Sequence, residues 1–215
     1  NNTKTVSQSL MRNPSVQDVY EPGSTGKIMT LAAALEEKKI TPETVFSVPY
    51  SLKRGGDTFH DHERHPVQRL TTAGILAVSS NTGTIKIGET LSNDKLHDYL
   101  TKFGIGVSTG SGLPGESKVL FRPVSDWSGT TAPTVAFGQG YALTAMQATS
   151  IFATIANDGV RVSPTVIAGT SDSSGKFTVA STRKSERVVS AKTAQQVRLM
   201  MESVVSGNGT APSAA

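Results

Sequence analysis

Apolar residues recur at helical spacing in several stretches, separated by connections rich in glycine, proline and polar side chains. Lys27–Lys39 carries Ile28, Leu31, Ala32 and Leu35 on one stripe, which predicts a helix with one buried face. Glu21-Pro22-Gly23 breaks the chain before it, and Ser24 stands where a helix N-cap would stand. Thr71–Ser80 reads as a short buried helix (Ala73, Ile75, Leu76, Ala77, Val78) ending at Asn81. Further helices are predicted over 82–91 and over Asn93–Phe103, the latter with Asp94 in its first turn. Another runs from a Thr144 cap to Asn157, stopped by Asp158-Gly159. Ser190 caps a last helix, Lys192–Val205, with Val197, Met200, Met201 and Val204 on one side. Val160–Ile167 and Lys176–Val179 alternate as a hairpin would, with Asp172–Gly175 as its turn region. Residues 1–19 read as polar and irregular, 45–68 as loop, and Gly104–Gly115 as a glycine-punctuated loop. The pattern signals helices well and the sheet poorly, and it contains no internal repeat or domain linker.

Composition narrows the class. With 215 residues, 36% of them hydrophobic, the chain can bury a core, and it contains no apolar run near the ~20 residues a membrane helix needs. The net charge of +4 comes from scattered Lys and Arg, without the block that marks a nucleic-acid surface. The absence of cysteine excludes disulfides, thiol catalysis and Cys-ligated zinc. The polar start Asn1-Asn2-Thr3 and the Gly/Ser/Ala/Pro tail 206–215 read as cut ends, so a fragment is expected.

Candidate chemistry begins at Ser24-Thr25-Gly26-Lys27. A serine and a lysine three apart at a helix start share a face. A serine hydroxyl attacks well only when a base takes its proton, and a desolvated lysine can be that base. The helix N-terminus favours a developing oxyanion and opposes lysine protonation. Ser24 is equally placed to be no more than a cap. A phosphate-binding loop fits badly, because Glu21 stands where the first glycine belongs and Ile28 where a magnesium-binding hydroxyl belongs. Ser79-Ser80-Asn81, closing an apolar helix, could send a proton-shuttling hydroxyl and a substrate-holding amide toward one cleft; it could also be an ordinary helix end. His60-Asp61-His62-Glu63-Arg64-His65 reads either as a metal-like cluster or as a polar surface loop. Trp127 beside Asp126 is a packing residue or the edge of a cleft.

Together these strings resemble the transpeptidase domain of class B penicillin-binding proteins. Tyr20–Lys27 is similar to that family's S-x-x-K motif with its lead-in, and Ser79-Ser80-Asn81 to its S-x-N motif. Phe137-Gly138-Gln139-Gly140-Tyr141, then Leu143–Gln147, resembles its G-Q-G segment and following helix. Asn157–Gly159, Pro164 and Met200–Val205 continue the likeness. The K-T-G motif is missing: Lys192-Thr193-Ala194 opens a helix and has alanine in the glycine position.

The resemblance implies an α/β (α+β) chain of the serine DD-peptidase/β-lactamase type. Mainly its helical part is expected in residues 1–215, with the first sheet strands and the K-T-G strand outside them. It implies peptidoglycan D,D-transpeptidation, leaning to the division-type enzymes, with Ser24 as nucleophile and Lys27 as base. Ser79 would relay the proton, Asn81 would orient the substrate amide and Lys27, and Gly138, Gln139 and Gly140 would bind substrate. The expected partners are stem peptides, β-lactams and cell-wall synthesis proteins, with no cofactor, metal or nucleic acid. The expected place is the outer face of the bacterial membrane, anchored by a segment outside this chain. A penicillin-recognising sensor and a serine β-lactamase are the alternative readings.

Overall fold

In the computed structural model, residues 5, 7, 11–119, 121–180 and 183–214 are described. The reading of Asn1-Asn2-Thr3 as an irregular start, and the last tail residue, lie outside them. Within the segment expected to be irregular, Pro14–Gln17 forms a helical turn (α1), its Asn13 cap accepting from the Ser15 N–H, with Val16 fully buried. Val19–Tyr20 (β1) and a 3-10 turn, Gly23–Gly26, lead into Lys27–Glu36 (α2). The helix α2 departs from the one-faced expectation, since every residue from Lys27 to Leu35 is buried. The run Ala32-Ala33-Ala34 lets neighbours approach closely, and a helix surrounded on all sides is apolar all round. It ends three residues short of Lys39 because Lys38 turns left-handed (φ 54°) and the Lys39 N–H closes back on the Ala34 carbonyl at 2.9 Å.

Residues 45–68, expected as loop, contain strands. Val45–Val48 (β2) pairs antiparallel with Gln68–Thr71 (β5), and between them Ser51–Arg54 (β3) pairs with Asp57–His60 (β4) around Gly55-Gly56. These strands are short and mostly exposed, so little hydrophobic alternation marks them. The stretch expected as one helix to Asn81 is Thr72–Ala77 (α3), capped by Thr71. Asn81 belongs instead to the first turn of Asn81–Gly88 (α4).

Asn93–Phe103 (α5) matches its expected bounds, with Asp94 in the first turn. Thr131–Ala136 (α6) precedes Leu143–Thr144 (β6), which pairs with β1. Ala145–Ala156 (α7) carries a full capping box between Thr144 and Gln147. The expected hairpin is partly re-paired. Val160–Val162 (β7) joins Ser185–Arg187 (β10), whereas Gly169–Ser171 (β8) and Phe177–Val179 (β9) flank the Asp172–Gly175 turn. Ala191–Glu202 (α8) is capped by Ser190.

The helices α4, α5 and α8 pack directly against α2, and one hydrophobic core joins them to α7. The class is therefore α+β, with helices dominant and the described strands in two-stranded antiparallel ladders. No described helix is long and apolar enough to cross a membrane.

Candidate active site

Ser24 is not the cap of α2; that place belongs to Gly26, with no side-chain capping bond. It lies inside the 3-10 turn, where side chains three apart stand above one another, so Ser24 and Lys27 share an edge. Ser24 is exposed and its Oγ has no hydrogen-bond partner among the described residues. Its backbone N–H belongs to the opening turn, where helical donors lack an intrahelical acceptor.

The turn is held from behind by the glycines of the 137–141 segment. Gly23 adopts φ 56° and donates its N–H to the Gly138 carbonyl at 2.8 Å. A Cβ on Gly138 would lie 1.9 Å from the Gly23 oxygen, so no side chain fits there. The Gly140 N–H donates to Glu21 Oε1 at 2.9 Å. The Tyr141 hydroxyl lies over Gly26, where a Cβ would approach it to 2.6 Å; burial, with the Glu21 charge added, pushes this phenol well above its ordinary range.

Lys27 is fully buried, and its ammonium donates to the Ser79 carbonyl and, at 3.0 Å, to Ser79 Oγ. Burial pulls its pKa down to about 8, against the opposing pull of the Asp61 carboxylate. Ser79 reaches Lys27 because it occupies a left-handed conformation (φ 56°) between α3 and α4, uncommon for a residue with a Cβ. Ser80 caps α4, accepting from the Gly83 N–H at 2.9 Å. Asn81 projects from the first turn of α4, its Nδ2 donating to the His60 carbonyl at 3.0 Å; among the described residues no hydrogen bond joins it to Lys27.

An open cavity of about 870 Å³ brings these together: Ser24, Ser79 and Asn81 line it, with the 60–65 loop opposite and Asn208–Thr210 along one side. Gly138, Gln139 and Gly140 are not among its lining residues. Trp127 is not either; its ring packs tilted against Phe121 and His97, and it donates to the Arg122 carbonyl at 3.0 Å. Lys192-Thr193-Ala194 lies in the first turn of α8, where the Thr193 hydroxyl is bonded to Glu36.

A buried lysine below its ordinary pKa, bonded to a serine and sharing an edge with a free, exposed serine, can deprotonate one hydroxyl and reprotonate a leaving group through the other. The penicillin-binding protein transpeptidase domain matches residues 1–215. The chain belongs to this family. It is 42% identical over 208 residues to the penicillin-binding protein PbpB of Mycobacterium tuberculosis, covering 94% of this chain and 31% of that protein. It is 34% identical over 161 residues to the peptidoglycan D,D-transpeptidase FtsI of Escherichia coli, covering 74% of this chain and 27% of that one. The crystal structure of penicillin-binding protein 3 from M. tuberculosis in complex with aztreonam superposes with a TM-score of 0.90 at 41% identity, covering 94% of this chain and 47% of that one. The chain thus spans about a third of the length of these curated relatives.

Within this transpeptidase fold the 60–65 string has a role that spacing alone does not reveal. Among the described residues no group of three or more His, Cys, Asp or Glu side chains is arranged to hold a metal. Asp61 instead turns inward, buried, and accepts from Ser80 Oγ at 2.7 Å and from the Thr82 N–H at 2.9 Å. Glu21, holding Gly140, is likewise unmarked in the sequence except by its nearness to Ser24.

Proposed function

We propose that this chain carries the acylation machinery of a peptidoglycan D,D-transpeptidase of the division type. The observation that supports it most is the buried Lys27, at a pKa of about 8, bonded to Ser79 and one 3-10 turn from the unpartnered Ser24. Ser24 Oγ attacks the carbonyl carbon of the penultimate D-alanine of a stem peptide while its proton passes to neutral Lys27 Nζ. The Ser24 N–H donates to the resulting oxyanion. The carbon–nitrogen bond breaks as Lys27 returns the proton through Ser79 Oγ to the departing D-alanine amine. An amine of a neighbouring stem then attacks the carbonyl carbon of the Ser24 ester, its proton passing by way of Ser79 Oγ and Lys27 Nζ to Ser24 Oγ as the carbon–oxygen bond breaks. A β-lactam follows the first half of this course and remains as an ester on Ser24.

Asn81, its amide nitrogen committed to the loop, offers its oxygen to the substrate amide N–H. Gly138, Gln139 and Gly140 serve substrate binding by fixing the edge from which Ser24 projects, with Gln139 exposed beside it. A strand bearing Lys-Thr/Ser-Gly and the first sheet strands, outside residues 1–215, complete the cleft. The protein acts at the outer face of the membrane, anchored by a further segment and working with other cell-wall synthesis proteins.

Intact-mass analysis of the complete protein after incubation with penicillin, beside Ser24→Ala, tests the reading. A stable adduct lost in the variant is expected; rapid turnover without an adduct would mark a β-lactamase, and the absence of both adduct and turnover would overturn the transpeptidase reading.

A further inference from the structure

The reaction sketched above uses Lys27, Ser79 and Asn81, and one carboxylate outside the motifs is bonded to the residues on both sides of Asn81. Asp61, 6% exposed, accepts from Ser80 Oγ at 2.7 Å and from the Thr82 N–H at 2.9 Å, so it grips the residues on both sides of Asn81. The preceding carbonyl, of His60, takes the Asn81 amide, and the Asp61 N–H is fixed to the Tyr50 carbonyl at 3.0 Å. Ser80, which Asp61 holds, directly follows Ser79, whose left-handed turn (φ 56°) costs an L-residue about 1–2 kcal/mol unless its surroundings impose it.

Asp61 has one further partner, His65, whose Nε2 lies 3.0 Å from Asp61 Oδ2 while its Nδ1 lies 2.7 Å from the Pro66 carbonyl. Both ring nitrogens therefore face acceptors. A neutral imidazole has a single N–H and can satisfy only one; the imidazolium satisfies both.

We propose that His65, in its doubly protonated form and acting through Asp61, is a positioning residue for acylation, setting the Ser79–Asn81 turn that presents Ser79 to Lys27. The proposal rests on the transpeptidase reading. The Pro66 carbonyl, together with Asp61, raises the His65 pKa above its ordinary value and so favours the imidazolium. Other charged or titratable groups near the pair are Lys27, which senses Asp61 from α2, and the neighbouring side chains of the loop. Arg64 lies over the Tyr50 ring at 5.6 Å, His60 stacks on that ring, and Tyr50 meets His65 edge-on at 6.0 Å. His62 and Glu63 line the same cavity. The N-terminus of α4 adds its own positive end beside the Asp61 carboxylate.

The test is made in the complete protein with a fluorescent penicillin, separating reversible binding from the acylation step by the concentration dependence of labelling. His65→Gln keeps one donor for Asp61 without the charge, and His65→Ala keeps neither. At pH 6 acylation is expected to slow about tenfold in His65→Gln and more in His65→Ala, with reversible binding unchanged. As pH rises and the imidazolium gives up its second proton, the wild-type to His65→Gln ratio falls toward one. The pH profile of each protein is fitted with its own Lys27 titration, because Asp61 acts on Lys27 and the substitution changes the charge beside Asp61. Equal rates at pH 6, or a loss independent of pH and matched by a fall in Tm, would overturn the proposal.

Hydrogen exchange of residues 79–84 at pH 6 gives a readout that does not need acylation. Faster exchange in His65→Gln is expected, and unchanged exchange counts against the positioning role even if the protein labels normally. A folded wild-type protein that never labels would instead sink the transpeptidase reading and leave this second measurement to decide the role of His65.

Discussion

At the scale of single residues, the proposed reaction turns on Lys27. As the proposed base it must be neutral to accept the Ser24 proton, and burial pulls its pKa down to about 8. Acylation by a fluorescent penicillin should therefore rise with pH through about 8, since the neutral fraction grows as protons are withdrawn; a profile already flat from pH 6 to 9 would remove Lys27 as the base. Lys27→Arg retains a cation that does not deprotonate, and labelling should fall by roughly 10²–10⁴-fold, the usual contribution of a general base. Gly138→Ala places a methyl 1.9 Å from the Gly23 oxygen, so the turn behind Ser24 must move. Labelling should drop at least tenfold while far-ultraviolet circular dichroism stays native. Ser24, Lys27, Ser79 and Asn81 are all legible in the sequence, because each belongs to a short motif whose spacing is its signal. Asp61 is legible only as part of a polar string. Nothing local says that it turns inward to hold Ser80 and Thr82, about twenty residues later in the chain.

At the scale of elements, helix ends carry the information best. Thr144 and Ser190 each cap the helix expected of them, and Ser92 caps α5 in the same way, because a capping side chain bonds a backbone N–H two or three residues on and needs no distant partner. Thr144→Ala should cost about 1 kcal/mol, read as a lower midpoint in urea unfolding. The docking of α8 on α2 is a longer-range matter: Glu36 accepts from the Ser190 N–H at 3.0 Å, the Ser190 hydroxyl at 2.8 Å and the Thr193 hydroxyl. Partial burial alone would raise the Glu36 pKa, but the Thr193 and Ser190 bonds outweigh it and hold the carboxyl below the ordinary value of 4.5. A depressed carboxylate stabilises the fold above its unfolded pKa and loses that contribution as pH falls through the folded one. Glu36→Gln should therefore lower Tm at pH 7, and the gap to wild type should narrow below about pH 4. The strands fail to announce themselves for the opposite reason. With two to four residues each and mostly exposed faces, their pairing is chosen by which segment the helices bring alongside.

At the scale of the whole molecule, the site is a meeting of segments far apart in sequence around one buried helix. The 3-10 turn and α2 deliver Ser24 and Lys27, the α3–α4 junction delivers Ser79 and Asn81, the 137–141 glycines brace the Ser24 turn, and the β4–β5 connection supplies Asp61. Coupling of this kind predicts that saturating penicillin, by forming an ester on Ser24, raises the Tm of wild type but not of Ser24→Ala. Read alone, the chain establishes the starts of α5, α7 and α8, the Ser-x-x-Lys and Ser-x-Asn motifs and the family they resemble, because capping and periodicity act over one turn and motif spacing is linear. It does not establish that α2 is buried on every side, that Ser79 is left-handed, that β7 pairs with β10, or that Asp61 and His65 stand behind the motifs. Those depend on desolvation and on hydrogen bonds between segments that only the packed fold brings within 3 Å of each other.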